Sequence, residues 1–120
     1  MHQRITSFKN ALVGLVWAAR TQVHLRIHLT VTALVLGLAW VFNLTGLEVA
    51  LLLMMIVIVI SLELVNTALE AVTDCQKLTK KTAEEDRLIG VAKDVAAGAV
   101  LVTALGAVAV GLAIFLPHLA

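Results

Sequence analysis

Residues Val49 to Asp74 read VALLLMMIVIVISLELVNTALEAVTD, an apolar run that ends in ionisable and amide side chains. At about 100° per residue of an α-helix, its polar side chains fall within an arc of roughly 80°. This polar stripe consists of Glu63, Asn66, Glu70 and Asp74. A charged side chain near the centre of a bilayer costs about 2.5–3.5 kcal/mol on insertion scales, so a stripe of this kind inside a membrane helix points to function.

The composition is that of a membrane protein. Of the 120 residues, 61% are hydrophobic and 14% are charged, which is too apolar for an ordinary soluble domain. The formal net charge of +1 excludes a strong electrostatic footprint for nucleic acid. Cys75 is the only cysteine, and the four histidines have no partners at metal-ligand spacing, so no zinc motif is present. We predict a single all-α integral membrane domain over residues 1–120.

Three apolar runs are long enough to cross a bilayer as helices. They cover about residues 27–47, 49–72 and 95–116. The first, at 1.5 Å per residue, is about 31 Å long and matches a hydrocarbon core of about 30 Å. Asn43 to Gly46 has the composition of a turn between the first two spans. Residues 1–26 mix apolar and basic side chains, which favours an amphipathic helix on the membrane surface. The polar segment 75–92 is predicted to be a solvated loop, with a short helix that begins at the capping-box sequence Thr82 to Glu85 as the alternative.

The basic residues define the orientation of the spans. All nine Lys and Arg lie either before the first span or between the second and third, and the hairpin turn has none. By the positive-inside rule, the N-terminus and the 75–92 segment lie in the cytoplasm and the C-terminus lies outside. Glu63 then lies roughly 9 Å below the cytoplasmic edge of the hydrocarbon core, with Glu70 and Asp74 about 10 and 16 Å further toward the cytoplasm.

This depth suits phosphoryl transfer from a nucleotide to a lipid alcohol. Such a reaction needs a base at the membrane edge, carboxylates that hold Mg²⁺ and a cation near the phosphates. Glu63, the pair Glu70 and Asp74, and Lys93 can meet these needs. No G-x-x-x-x-G-K-[ST] loop occurs, which excludes a P-loop nucleotide site. Two intramembrane carboxylates also suit a proton or cation pathway. From the residues alone, a kinase, a conductor and a structural protein all remain open.

Two motifs resemble one protein family. The sequences ELVNTALEAVTD, from Glu63 to Asp74, and AKDVAAGAVL, from Ala92 to Leu101, resemble the signature of the prokaryotic diacylglycerol kinase family, which includes undecaprenol kinases. The resemblance implies a homotrimeric lipid kinase of the bacterial inner membrane, with active sites between subunits and ATP with Mg²⁺ as the phosphoryl donor. The resemblance implies undecaprenol or diacylglycerol as the acceptor, and the form of Ala96 to Leu101 is more similar to the undecaprenol kinase branch.

The same resemblance implies roles for individual residues. Glu63 corresponds to the catalytic base and Glu70 to a metal ligand, while the nucleotide surroundings correspond to Asn66, Glu70, Asp74, Lys93 and Asp94. Gln22 stands where the family shows a second metal-binding carboxylate, and the connection between Asp74 and Lys93 is longer than the family pattern. A neutral amide oxygen at Gln22 is expected to bind Mg²⁺ more weakly than a carboxylate.

Gln22 also keeps an alternative function open. A catalytically weakened family member could act as a membrane scaffold, and a small proton or cation conductor could use Glu63 and Glu70. Arg26, at the foot of the first span, is equally suited to contacting a phosphate or lipid headgroup and to anchoring the helix at the interface. His28 and His24, beside it, are expected to be polar residues of the membrane interface.

Overall fold

In a computed structural model that describes all 120 residues, the chain forms four α-helices and no strand. They are α1 (His2–Thr21), α2 (Val23–Val41), α3 (Gly46–Gln76) and α4 (Ala83–Leu119). The last three are long and apolar enough to cross a membrane, which confirms the predicted all-α membrane fold. The first contacts α2 and α3 and exposes large apolar side chains such as Ile5 and Phe8. Its position on a membrane surface stays a prediction.

A single extended residue separates α1 from α2. Gln22 has φ −100° and ψ 111°, and its backbone N–H donates to the carbonyl of Ala18 over 2.9 Å. Because this backbone conformation lies outside the helical region, the chain changes direction at Gln22. The residue that the sequence marked as a candidate metal ligand is therefore also the joint between the N-terminal helix and the first spanning helix.

The turn between α2 and α3 follows from local side-chain chemistry. Asn43 has φ 51°, the only positive φ in the chain, in the left-handed region that Asn tolerates better than most residues. Thr45 then caps α3: its backbone N–H donates to the Glu48 carboxylate over 2.8 Å, and its hydroxyl oxygen accepts from the Glu48 N–H over 3.3 Å. This capping box starts the second spanning helix. The two helices form the predicted hairpin.

The connection between α3 and α4 differs from the expected loop over 75–92. The first two of these residues end α3, and α4 begins at Ala83, so only residues 77–82 lie outside helices. Thr82 and Glu85 form a second capping box. The hydrogen bond from the Thr82 backbone N–H lowers the pKa of Glu85, at the polar start of α4 outside the apolar span. Capping and good helix-forming residues thus extend the helix into water, where charge density alone had indicated a loop.

The apolar core lies at the end of the bundle that contains the hairpin turn. Ala39, Leu52 and Ile114, one each from α2, α3 and α4, are buried together. Beside them, the rings of Phe42 and Phe115 meet edge to face at 5.9 Å. The polar stripe lies at the opposite end of α3. The packed end therefore fixes the positions of α2 and α4 on either side of α3, and the other end holds the polar groups.

Candidate active site

Glu63 is a buried carboxylate on the central helix. Its residue surface is only 5% exposed, and it makes no hydrogen bond within the chain. The basic side chain beside it is the imidazole of His28 on α2, whose Nε2 lies 3.8 Å from Glu63 Oε2. A carboxylate held away from water is costly unless it is paired or hydrogen-bonded. Glu63 therefore has the environment of a reactive group and not that of a solvated surface charge.

One turn along α3, Asn66 and Glu70 contact each other. Asn66 Nδ2 donates to Glu70 Oε1 over 3.4 Å, which orients the carboxylate along the helix. Asn66 Oδ1 is buried without any hydrogen-bond partner, the only such side-chain atom in the structure. The hydroxyl of Thr73, also buried, donates to the backbone carbonyl of Glu70 over 3.0 Å. An oxygen without a donor thus lies next to a predicted metal ligand.

Asp74 pairs across the helices with Lys93. Lys93 Nζ donates to Asp74 Oδ1 over 3.1 Å, between residues 19 positions apart in the chain. The side chains are 62% exposed for Asp74 and 28% exposed for Lys93. Because half-exposed ion pairs contribute little to stability, the Lys93 ammonium can exchange this partner for a phosphate at small cost. The structure thus brings Lys93 to the polar stripe, as the sequence predicted.

Other predicted site residues make no hydrogen bond or ion pair with the polar stripe. The Gln22 side chain donates only to the hydroxyl of Thr21, over 3.1 Å. Arg26 and Asp94 are exposed and make no side-chain hydrogen bond or ion pair. No cluster of three or more His, Cys, Asp or Glu residues lies close enough together to hold a metal ion. The chain therefore has no site in which three or more such side chains alone enclose a metal ion.

The available donors nevertheless fit Mg²⁺ chemically. Glu70 and Asp74 offer carboxylate oxygens, and the partnerless Asn66 Oδ1 adds an amide oxygen beside Glu70. Hard cations such as Mg²⁺ take oxygen ligands and are commonly held by one or two carboxylates together with phosphate oxygens and water. The unsatisfied amide oxygen is suited to accept from a water molecule of such an ion. The donor set therefore fits a magnesium–nucleotide complex better than a zinc or iron site.

An apolar groove adjoins the polar stripe. It is open, has a volume of about 370 Å³, and runs between α3 and α4. Nine of its ten lining residues are hydrophobic, and Asn66 is the single polar one. The groove therefore meets the polar stripe at Asn66, where an aliphatic chain can lie beside groups that handle a polar headgroup.

His28 is the member of this site that the sequence did not reveal as such. It lies 35 positions before Glu63, and no local pattern connects the two residues. The hairpin does carry a signal, however. Counted in equal numbers of residues from the turn at 42–45, His28 lies opposite Val59, which is about 6 Å or one helical turn from Glu63. Pairing the two helices about their turn would have placed the imidazole near the carboxylate.

Comparison with known proteins supports one class of enzyme. Residues 9–115 match the family described as prokaryotic diacylglycerol kinase. The chain is 41% identical over 115 residues to a protein of Synechocystis sp. named diacylglycerol kinase, covering 96% of this chain and 63% of the relative. It is 37% identical over 113 residues to a protein of Bacillus subtilis named undecaprenol kinase, covering 94% of this chain and 88% of the relative.

Both relatives are named as lipid kinases, which is the class of enzyme that the resemblance of the motifs Glu63 to Asp74 and Ala92 to Leu101 had implied. The family match includes α2 and α3 completely and extends from within α1 to Phe115 in α4. It therefore contains every residue of the candidate site, from Gln22 to Asp94. The chain belongs to the prokaryotic diacylglycerol kinase family.

Proposed function

We propose that the protein is an ATP- and Mg²⁺-dependent integral membrane lipid kinase that phosphorylates the hydroxyl group of undecaprenol or diacylglycerol. One observation carries this proposal. A buried carboxylate, Glu63, shares a helix face with the Asn66–Glu70 contact and the Asp74–Lys93 pair. A proton acceptor at lipid depth thus stands in line with groups suited to a nucleotide.

In this proposal Glu63 is the general base. The hydroxyl oxygen of the lipid attacks the γ-phosphorus of ATP, the bond between that phosphorus and the oxygen bridging to ADP breaks, and the hydroxyl proton passes to the Glu63 carboxylate. A base that receives this proton typically accelerates a reaction by about 10²–10⁴-fold. Burial suits the role, since a carboxylate that is screened from water and makes no hydrogen bond is free to accept one from the substrate.

The other groups bind and orient the nucleotide. Lys93 exchanges its contact with Asp74 for the phosphates, and Asn66, Asp74 and Asp94 surround the nucleotide. Glu70 holds Mg²⁺, with Gln22 as a weak neutral ligand, and Mg²⁺ when bound neutralises charge on the phosphate oxygens. Arg26, exposed beside a shallow groove on α2, contacts the lipid headgroup or its phosphate. Positioning and charge neutralisation are the main sources of catalysis in phosphoryl transfer.

The groove between α3 and α4 supports a lipid acceptor. Its apolar lining suits an acyl or polyprenyl chain, and its single polar lining residue, Asn66, also belongs to the polar stripe. The two named relatives differ in their acceptors, diacylglycerol in one and undecaprenol in the other. Both acceptors present a hydroxyl group at the polar end of a lipid with long apolar chains, so the same base and groove can serve either one.

We further propose a homotrimer in the bacterial inner membrane, with the α3–α4 connection in the cytoplasm and the end of α4 outside. The orientation rests on the absence of Lys and Arg at the hairpin turn and on the five basic residues between the second and third spans. The assembly is supported by the many apolar side chains exposed along α2, α3 and α4.

The test uses purified protein in detergent or bilayers with MgATP and either diacylglycerol or undecaprenol. We expect phosphorylation of at least one lipid, dependent on Mg²⁺. No phosphorylation of either lipid at any Mg²⁺ concentration would reject the kinase and favour the scaffold, which the neutral Gln22 already suggests. Proton or cation flux through protein-containing vesicles without lipid phosphorylation would instead identify a conductor.

A further inference from the structure

We propose that His28 is a positioning residue for the base: it orients the Glu63 carboxylate and removes the proton that Glu63 takes from the lipid hydroxyl. The inference deepens the proposed function and rests on it. Its structural basis is the approach of His28 Nε2 to Glu63 Oε2, at 3.8 Å, between α2 and α3.

The Glu63 side chain is more deeply buried than the His28 side chain. The Glu63 side chain is 6% exposed and the His28 side chain is 23% exposed. A proton on Glu63 is therefore enclosed by the chain, whereas the imidazole both approaches the carboxylate and reaches the surface of the chain. This makes His28 the connection between a buried base and the outside of the bundle.

No competing ion pair takes the place of this contact. The other ion pairs in the structure do not involve Glu63 or His28. They join Arg87 to Glu84, Lys93 to Asp74, and His118 to Glu48. On α2 itself, Arg26 and His24 are exposed and unpaired. On α1, which also packs on α2 and α3, Arg20 has no carboxylate within 4.0 Å. Along α3, the nearest acidic residue to Glu63 is Glu70, which is held by Asn66. His28 is thus the only ionisable partner of Glu63.

The proton balance of the step is simple. Glu63 gains the hydroxyl proton while the new phosphorus–oxygen bond forms and ADP leaves. Neutral His28 then accepts this proton at Nε2, which regenerates the carboxylate and gives an imidazolium, and the imidazolium releases the proton to water. The present distance exceeds that of a hydrogen bond and must shorten to about 2.8 Å for transfer. Catalytic contacts are often long before substrate binds.

The experiment measures kcat and the KM for MgATP between about pH 5 and 9, across the range in which imidazoles titrate. The variants are His28→Gln, which keeps a polar side chain without a titratable imidazole, and His28→Ala, which leaves space for added imidazole. His24→Gln is the matched control, because His24 lies one helical turn away on α2, is exposed and has no carboxylate partner.

We expect His28→Gln to lower kcat by about tenfold or more with little change in the KM for MgATP, because proton transfer and not nucleotide binding is impaired. The dependence of kcat on pH in the imidazole range should also disappear. Added imidazole should restore rate to His28→Ala but not to His28→Gln, and His24→Gln should behave as the parent.

Two results overturn the inference alone: an active parent whose pH profile persists unchanged in His28→Gln, or a slow His28→Ala variant that imidazole does not restore. A purely structural role for His28 would give the second result, since a free base cannot replace packing. If the parent phosphorylates neither lipid, the proposed function fails, and this inference fails with it. The two failures are distinguishable, because the first is seen in the parent itself and the second only when the His28 variants of an active parent are measured.

Discussion

Replacing Glu63 by Gln is the sharpest perturbation that the site offers. The two side chains have nearly the same shape, and Glu63 accepts no hydrogen bond that the change could break, so the bundle should fold as before. The amide cannot accept the hydroxyl proton. Loss of a general base typically costs about 10²–10⁴-fold in rate, which corresponds to about 3–5 kcal/mol of activation free energy.

Glu63→Asp provides an intermediate measure. It keeps the carboxylate but withdraws it by about one carbon–carbon bond, so the 3.8 Å separation from His28 grows to about 5 Å. A misplacement of about 1 Å can cost about 10²-fold when the reacting groups must be aligned. We therefore expect the Asp variant to fall between the parent and the Gln variant in kcat.

The assay is phosphorylation of the lipid by purified protein with saturating MgATP, together with nucleotide binding by calorimetry. Glu63→Gln should bind MgATP with nearly the affinity of the parent while its turnover is lost. Parental turnover by Glu63→Gln would refute the role of the base. Loss of nucleotide binding in step with turnover would instead move Glu63 into the nucleotide site.

Four further outcomes test the metal site, the orientation and the fold. Glu70→Gln should weaken Mg²⁺-dependent ATP binding, because it removes the carboxylate that Asn66 orients; unchanged binding in a nucleotide titration would exclude Glu70 as a ligand. Gln22→Glu should lower the Mg²⁺ concentration needed for half-maximal rate, and a parent already saturated at sub-millimolar Mg²⁺ with no gain from the carboxylate would remove Gln22 from the metal site. Cys75, exposed and free, should react with thiol reagents only from the cytoplasmic side, so labelling of intact cells by an impermeant reagent would contradict the topology. Thr82→Ala should destabilise the start of α4 by about 1 kcal/mol and accelerate hydrogen exchange there by about fivefold relative to a Thr79→Ala control.

The parts of the fold that depend on local sequence were predictable. The length of the apolar runs gave the spanning helices, and the spacing of Glu63, Asn66 and Glu70 gave the polar stripe, because both are properties of a single helix. The turn at Asn43 was also recognisable, since its residue type tolerates the required backbone conformation.

Two features were not predicted, for different reasons. The early start of α4 at Ala83 was signalled by the capping box at Thr82, but a high density of charge reports solvation and does not distinguish a helix from a loop. The approach of His28 to Glu63 is a tertiary contact, so it depends on how α2 and α3 are aligned about their turn. Helical periodicity contains no information about such alignment.

The polar contacts at the two ends of α3 and α4 have a mechanical consequence. Lys93 meets Asp74 at one end, and His118 meets Glu48 over 3.0 Å at the other. Between these contacts the two helices run about 39 and 37 Å. Since the lengths match, both contacts form at the same relative position of the two helices, and sliding one helix past the other would break both of them. A bilayer thinner than the hydrophobic length of this helix pair is then accommodated by tilting both helices together, at a cost of a fraction of a kcal/mol per Å of hydrophobic mismatch. Tilting changes the depth of Glu63 in the membrane, so the thickness of the host membrane is expected to alter the surroundings of this carboxylate.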